Sequence, residues 1–359
     1  MKTINIILFG IGNVGGTLVD QFQKAIAKIE KEQHIQLKLQ LIANSTKALY
    51  ADISSEHNWR GRFENEAKPY QFKDILEYLN DHTRGDTIAV DATASKDFVS
   101  HYAQFIQAGC DIVTANKIAN TMDYEFYNQL RKILKEHNKR FKYETNVGAG
   151  LPIIDTIRSL HNAGENITRI RGVFSGSLSY IFNTFSESNG SFSDILTSAM
   201  ARGYTEPDPR EDLNGNDVAR KLLILARELD LKNEFDDIAI ENLIPEALRT
   251  IPKADFLDQL KVLDDYFALV KSKLKDGEVL RYVGDLYGDL FQEKGQMKVS
   301  LVAVPQQSPL GGLKGSDALI EIFTESYADQ PLVIQGAGAG AAVTARGVFV
   351  DVLRLSRAG

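Results

Sequence analysis

Through the first 150 residues, short apolar runs alternate with stretches whose apolar positions recur every three or four residues. The runs predict strands over 4–9, 36–43, 87–92, 112–114 and 142–144, and the stretches predict helices over 17–30, 72–80, 98–108 and 124–137. Strands alternating with helices give a parallel sheet with crossover helices, so this part reads as a doubly wound, Rossmann-type α/β domain. After Leu151-Pro152 the helical pattern lengthens, notably over 217–229 and over 256–274, where Leu260, Leu263, Phe267, Val270 and Leu274 keep helical spacing. From Val279 onward, β character at 279–287, 297–304, 318–324 and 332–335 predicts a small mixed, largely antiparallel sheet. A final helix over 341–355 follows a Gly-Ala run and has too little chain around it to make a domain. The expected division is therefore 1–150 plus 338–359 for the first domain and 151–337 for a second, α+β domain.

Composition narrows the function. Of 359 residues, 43% are hydrophobic and 25% charged, with 27 Gly and 9 Pro, which excludes disorder and low complexity. A net charge of -7, without a Lys/Arg stripe, argues against nucleic acid as a partner. The apolar run at 4–9 is too short for a secretory signal, and no stretch approaches the roughly 18 apolar residues of a membrane span. Cys110 is the single cysteine, so no intrachain disulfide is expected, and the six histidines show no ligand spacing for a transition metal. These features together predict a soluble, cytoplasmic protein.

Gly10-Ile11-Gly12-Asn13-Val14-Gly15 stands directly between the first strand and the first helix. In that context the first glycine permits the tight turn and the second lets a pyrophosphate approach the backbone. The third lets helix and strand pack closely, with the helix N-terminus facing the anion. The second strand ends in Asn44, Ser45, Thr46 and Lys47 rather than in the carboxylate that grips an NAD ribose, which favours NADP and leaves dual use with NAD open. Thr93 and Ala94 after the 87–92 strand, and Lys117 after the 112–114 strand, fall at carboxyl ends of strands, where open α/β sheets bind ligands. Helix capping and an exposed lysine are the bland alternatives there.

The segment from Tyr204 to Lys221 carries five carboxylates, at Glu206, Asp208, Glu211, Asp212 and Asp217, with prolines at 207 and 209. Asp217 and Lys221 are spaced i, i+4 on a helix whose apolar stripe is Val218, Leu222, Leu225, Ala226 and Leu229. A partly desolvated lysine beside carboxylates can carry a proton to and from a reacting oxygen, and a carboxylate such as Glu206 can hold a substrate ammonium. A solvated acidic loop with a structural ion pair reads the same residues without function.

With these segments in view, the chain resembles the homoserine dehydrogenases. The resemblance rests on GIGNVG at 10–15, TANK at 114–117, NVGAGLPII at 146–154, FSGSLSYIFN at 174–183, GYTEPDPREDLNGNDVARK at 203–221, LKGSDALI at 313–320 and VIQGAGAGAAVTARGVFVDV at 333–352. It implies reversible, NAD(P)-dependent oxidation of L-homoserine to L-aspartate 4-semialdehyde, a step toward threonine and methionine. It makes residues 151–337 the substrate-binding, catalytic and dimerisation domain of a homodimer. By this resemblance Lys221 is the acid/base and Asp217 its partner, while Glu206, Asp212, Tyr204, Gly176, Ser177 and Lys117 bind substrate. Gly10, Gly12, Asn13, Val14, Gly15, Thr93, Ala94, Lys117, Gly340 and Thr344 hold the cofactor, and carbonyls of Glu144, Val147, Ala149 and Leu151 hold a monovalent cation, sodium. Ser177 stands where many members carry Thr, which keeps the hydroxyl. Two departures from the wider family are expected, neither a C-terminal regulatory domain, since Gly359 closely follows the final helix, nor a fused aspartate kinase, since the glycine loop begins at residue 10, and with them no feedback inhibition by threonine. Two rivals are weighed: a thioester-forming dehydrogenase using Cys110, against which its position before the 112–114 strand, away from the ligand edge, argues, and a nucleotide sensor without chemistry, which leaves the 203–221 segment unexplained.

Overall fold

All five strand-like runs of the first part pair in parallel in one sheet of the computed structural model, which describes residues 1–82 and 86–357. These are β1 (Lys2–Phe9), β2 (Ile35–Ala43), β5 (Asp86–Asp91), β6 (Cys110–Thr114) and β7 (Phe141–Lys142). Two short strands not anticipated from the pattern, β3 (Lys47–Tyr50) and β4 (Lys68–Pro69), extend the sheet antiparallel beyond β2. The order is β4-β3-β2-β1-β5-β6-β7, so the chain winds outward from β1 in one direction and then in the other. Ala43, Phe9, Asp91 and Thr114 stand in one row of the register, which brings the loops after four strands to a single edge at the switch point.

The predicted helix over 98–108 is two helices, Lys96–Val99 and Tyr102–Gln107. Between them the Ser100 and His101 N–H groups donate to the carbonyls three residues back, at Asp97 and Phe98, so i→i+3 turns replace the α-helical ladder there. The final helix, Ala341–Arg357, packs on helix Asn13–Gln33, with Phe22 and Phe349 rings 5.6 Å apart. Its Val348, Phe349, Val352 and Leu355 are at most 2% exposed. Each contributes about 1.5–3 kcal/mol relative to exposure, enough to bring the segment back to this unit. The chain divides into Met1–Gly150 with the chain from Gly340 onward, and Leu151–Ala339. Gly338 and Ala339 thus stand with the second unit, two residues beyond the expected return.

The second unit has a six-stranded sheet of order β13-β12-β8-β10-β11-β9, in which only β11 and β9 pair in parallel. The strands are β8 (Ile167–Val173), β9 (Ile238–Ile240), β10 (Glu278–Tyr287), β11 (Gln296–Pro305), β12 (Asp317–Thr324) and β13 (Leu332–Ala337). β8 escapes the apolar pattern because Arg169 and Arg171 interrupt it; both are absorbed by ion pairs, to Asp285 and Glu321 of the neighbouring strands. The predicted 256–274 helix breaks into Lys253–Asp258 and Val262–Ser272, where the Gln259 and Val262 N–H groups donate to the carbonyls three residues back, at Phe256 and Gln259, in place of the α-helical ladder. Helices Gly176–Glu187 and Asn216–Arg227 pack on β10.

Among the described residues no helix is long and apolar enough to cross a membrane.

Candidate active site

In the first unit, Gly10 follows β1 with φ +88°, a conformation strained for any side chain, and a Cβ there would stand 2.7 Å from the Ala92 carbonyl oxygen. A Cβ at Gly15 would lie 1.8 Å from the Gly10 carbonyl oxygen, so the turn closes only on glycine. Gly12, which caps helix Asn13–Gln33, is exposed and has nothing within 4 Å of a would-be Cβ. Asn13 is exposed and Val14 half-buried, and the first helical turn carries no acidic residue. An open glycine, the unpaired amides of a helix N-terminus and no opposing charge fit a pyrophosphate.

At the end of β2, Asn44 Oδ1 accepts from the Thr46 N–H at 2.9 Å and the Lys47 N–H at 2.7 Å. Tyr70 donates to the Asn44 carbonyl at 3.0 Å. The loop is thereby held with Ser45, Thr46 and Lys47 exposed and no carboxylate among them.

Beside it, Asp91 ends β5 at 1% exposure and gathers donors: Tyr102 Oη at 2.6 Å, the Thr93 N–H at 2.7 Å and Asn116 Nδ2 at 3.1 Å. Burial pushes its carboxyl above the usual range, opposed by these hydrogen bonds. Asn116 also donates to the Ser95 carbonyl at 3.0 Å, so one buried carboxylate ties the Thr93–Ser95 loop to the loop of Lys117. Asp91 was not among the expected site residues; the signal was an acidic residue closing an apolar strand. Thr93 Oγ1 accepts from the Ser95 N–H at 3.2 Å, Ala94 is exposed, and Lys117 is half-buried at the head of helix Ile118–Thr121.

Gly340 has φ +110° and its carbonyl accepts from the Thr344 N–H, opening the last helix. The segment Glu144–Ala149 is buried, with Gly148 and Ala149 both in the left-handed region at φ 72° and 53°. The Glu144 carbonyl accepts the Val147 N–H at 3.4 Å, and in the second unit the Leu151 carbonyl accepts the Ile153 N–H at 2.9 Å. Cys110 begins β6, at the opposite end of the strand from Thr114, and burial pushes its thiol up to about 12. A thiol there is neither ionised nor near the loop-bearing edge, which removes the basis of the thioester reading.

In the second unit, Lys221 is 9% exposed and sits on helix Asn216–Arg227, whose stripe Val218, Leu222, Leu225 and Ala226 is buried, as is Leu229 in the turn just beyond the helix. Its Nζ lies 2.6 Å from Asp217 Oδ2 and donates to the Phe174 carbonyl at 2.7 Å. The next residue, Ser175, caps helix Gly176–Glu187 by accepting the Leu178 N–H, and its hydroxyl lies 2.9 Å from Ser177 Oγ. Ser177 Oγ then donates to Asp212 Oδ1 at 2.6 Å, and Asp212 Oδ2 accepts the Glu206 N–H at 2.8 Å. Burial raises the Asp212 carboxyl, with the charges of Glu206 and Asp217 adding to it and the Ser177 bond opposing.

The acidic segment is thus not one solvated loop. Asp208 is held by Arg210, whose guanidinium keeps its carboxyl below the usual range; Asp217 and Asp212 are engaged as described; Glu206 and Glu211 are exposed. Tyr204 stacks on Tyr180 with centroids 4.3 Å apart, and a Cβ at Gly176 would approach the Ser316 carbonyl oxygen to 3.2 Å. The structure therefore gathers Glu206, Asp212, Ser177, Asp217 and Lys221 into one connected cluster. The Phe174 carbonyl, a main-chain group, was outside the reach of side-chain motifs.

A glycine loop at the switch point of a parallel sheet, in one chain with a buried lysine held by carboxylate and carbonyl, defines a dinucleotide-dependent dehydrogenase class. A family model described as "Homoserine dehydrogenase, NAD binding domain" matches residues 10–144, and one described as "Homoserine dehydrogenase" matches 152–353. A homoserine dehydrogenase of Emericella nidulans is 37% identical, with 97% of each chain covered. A bifunctional aspartokinase/homoserine dehydrogenase 1, chloroplastic, of Zea mays is 42% identical over 99% of this chain, which spans 38% of that relative's length. The crystal structure of a Candida auris protein of unknown function superposes with a TM-score of 0.89 at 34% identity, covering 100% of this chain and 99% of that one. The chain belongs to the homoserine dehydrogenase family.

Proposed function

We propose that this chain catalyses the reversible oxidation of L-homoserine to L-aspartate 4-semialdehyde with NAD(P), a step of threonine and methionine biosynthesis. The observation that carries the reading is the cluster joining Lys221, Asp217, the Phe174 carbonyl, Ser177, Asp212 and Glu206. Gly10, Gly12, Asn13, Val14, Gly15, Thr93, Ala94, Lys117, Gly340 and Thr344 are the residues that would hold the dinucleotide. When bound, NAD(P)⁺ supplies the acceptor for the hydride that leaves C4 of homoserine.

Lys221, in its neutral form, takes the C4 hydroxyl proton as the carbonyl forms, and in the reverse direction its ammonium returns that proton to the developing alkoxide. Asp217 and the Phe174 carbonyl fix Nζ, so the proton moves at a set position instead of on a mobile side chain. The exposed Glu206 carboxylate pairs with the substrate ammonium, while Asp212 fixes Glu206 through its backbone N–H. Lys117 meets the substrate carboxylate, and Tyr204, Gly176 and Ser177 line its pocket. Oxidation releases a proton, so alkaline pH favours it.

For the cofactor, Ser45, Thr46 and Lys47 support a preference for NADP, since hydroxyls and a cation suit a 2′-phosphate. A monovalent cation, sodium, belongs at the carbonyls of Glu144, Val147, Ala149 and Leu151; support comes from the buried, left-handed turn at Gly148 and Ala149. A gain in melting temperature with sodium chloride over choline chloride tests it. A homodimer built on the sheet of the second unit is part of this reading, testable by light scattering. A single cysteine fits a cytoplasmic location.

The deciding experiment follows NADPH absorbance with L-homoserine at alkaline pH, beside NAD⁺ and beside Lys221→Ala. Turnover lost in the variant, with cofactor affinity kept, supports the reading. A folded, cofactor-binding protein silent with both nucleotides would point to a sensor instead.

A further inference from the structure

Strand β10 lies beneath both helices that carry the lysine–carboxylate cluster. On its helix-facing side, Tyr282 is followed at the next same-face position by Gly284, a buried mid-strand residue paired with Gly172 of β8 and Val299 of β11. Glycine inside a strand weakens it relative to alanine, through greater loss of backbone freedom and the absence of a side chain to pack, so its presence asks for a reason. Conformation is not the reason, because Gly284 is outside the left-handed region. Space is: a Cβ at 284 would stand 2.8 Å from Phe174 Cε2, 3.0 Å from Phe174 Cδ2 and 3.2 Å from Val218 Cγ1.

Both neighbours belong to the lysine's surroundings. Phe174 supplies the carbonyl that accepts from Lys221 Nζ at 2.7 Å, and Val218 lies between Asp217 and Lys221 on their helix. The Phe174 ring is fully buried and cannot swing into solvent. It is also tethered at both ends, by Val173 paired to Leu319 and by Ser175 capping helix Gly176–Glu187. A methyl group pressed on the ring therefore shifts the main chain, and with it the carbonyl that positions Nζ.

We propose that Gly284 is a positioning residue for proton transfer: the missing side chain at 284 lets Phe174 stand where its carbonyl holds Lys221 Nζ. The inference rests on the reading of Lys221 as the acid/base. Gly284 acts through Phe174 and touches no reacting atom.

The test compares Gly284→Ala, Phe174→Leu, the double variant and Lys221→Ala by steady-state kinetics in H₂O and D₂O. Gly284→Ala is expected to lower kcat about tenfold while both KM values stay within about twofold, since a displacement below 1 Å suffices for such a loss. Its solvent deuterium isotope effect on kcat should rise above wild type, a change that mere loss of folded protein does not produce. In the double variant the smaller leucine side chain in place of the Phe174 ring admits the methyl group, so kcat should return to within about threefold of Phe174→Leu alone.

A wild-type kcat in Gly284→Ala overturns the proposal, as does a double variant impaired about tenfold relative to Phe174→Leu. If Gly284→Ala does not fold, that second comparison decides alone. Normal turnover in Lys221→Ala sinks the acid/base reading itself, whereas an inactive Lys221→Ala beside an unimpaired Gly284→Ala sinks only the role of Gly284.

Discussion

Ser177 Oγ donates to Asp212 Oδ1 at 2.6 Å, and the other oxygen of the same carboxylate accepts the Glu206 N–H at 2.8 Å. Asp212 thereby pins the start of helix Gly176–Glu187 to the loop that presents the exposed Glu206 carboxylate. Asp212→Ala leaves both donors without their acceptor. Hydrogen bonds to a charged group are worth about 1.5–3 kcal/mol, so kcat/KM for homoserine should fall about 10–100-fold, mostly through KM. Ser177→Thr keeps the hydroxyl and should stay near wild type. Initial-rate kinetics check this, and an unchanged KM in Asp212→Ala would assign the pair to the fold alone.

The glycine loop separates binding from folding. Gly15→Ala places a methyl group 1.8 Å from the Gly10 carbonyl oxygen, so it should lower both the melting temperature and cofactor affinity. Gly12→Ala meets nothing within 4 Å and should melt like wild type. The methyl would nevertheless occupy the space where a pyrophosphate approaches the backbone, and a cofactor affinity at least about tenfold weaker is expected. Thermal melts with and without NADPH distinguish the two; equal NADPH stabilisation of Gly12→Ala and wild type would place the pyrophosphate elsewhere.

Lys47 is exposed at the end of the loop that Asn44 closes, next to Ser45 and Thr46. If it meets a 2′-phosphate, Lys47→Ala should weaken NADP⁺ by about two- to fivefold, the upper part of the range of one screened surface charge pair, and leave NAD⁺ untouched. The ratio of kcat/KM for the two nucleotides is the readout. Equal losses with both would remove Lys47 from discrimination.

The parts of the site that were legible in advance are those whose geometry is local. A strand, a glycine turn and a helix lie next to one another in the chain, and Asp217 and Lys221 meet because a helix brings i and i+4 together. The hub at Asp91 was not legible, because two of its three donors, Tyr102 and Asn116, come from helix Tyr102–Gln107 and from the loop after β6, brought to Asp91 by the pairing of β5 with β6. The Phe174 carbonyl was hidden for another reason: main-chain acceptors leave no mark on residue type. β8, on which Phe174 follows, was obscured by Arg169 and Arg171, whose charges are cancelled only by partners far along the chain.

Cys110 links the alkaline assay to stability. Burial raises its thiol from an ordinary 9.0 to about 12. Below the lower value the thiol is protonated in folded and unfolded chains alike, and it adds no pH dependence. Between 9.0 and about 12 the unfolded chain loses the proton while the folded chain keeps it, so stability falls as pH rises through this window. Cys110→Ala forfeits packing worth about 1 kcal/mol and should melt below wild type at neutral pH. It has no thiol to ionise, so the gap should close, and then reverse, as pH climbs through the same window. Melting temperatures of both proteins across that range check this, and a gap independent of pH would mean that the buried thiol ionises as freely as in the unfolded chain. The same variant should retain turnover, because a thiol at the amino-terminal end of β6 stands at the wrong edge of the sheet to form a thioester.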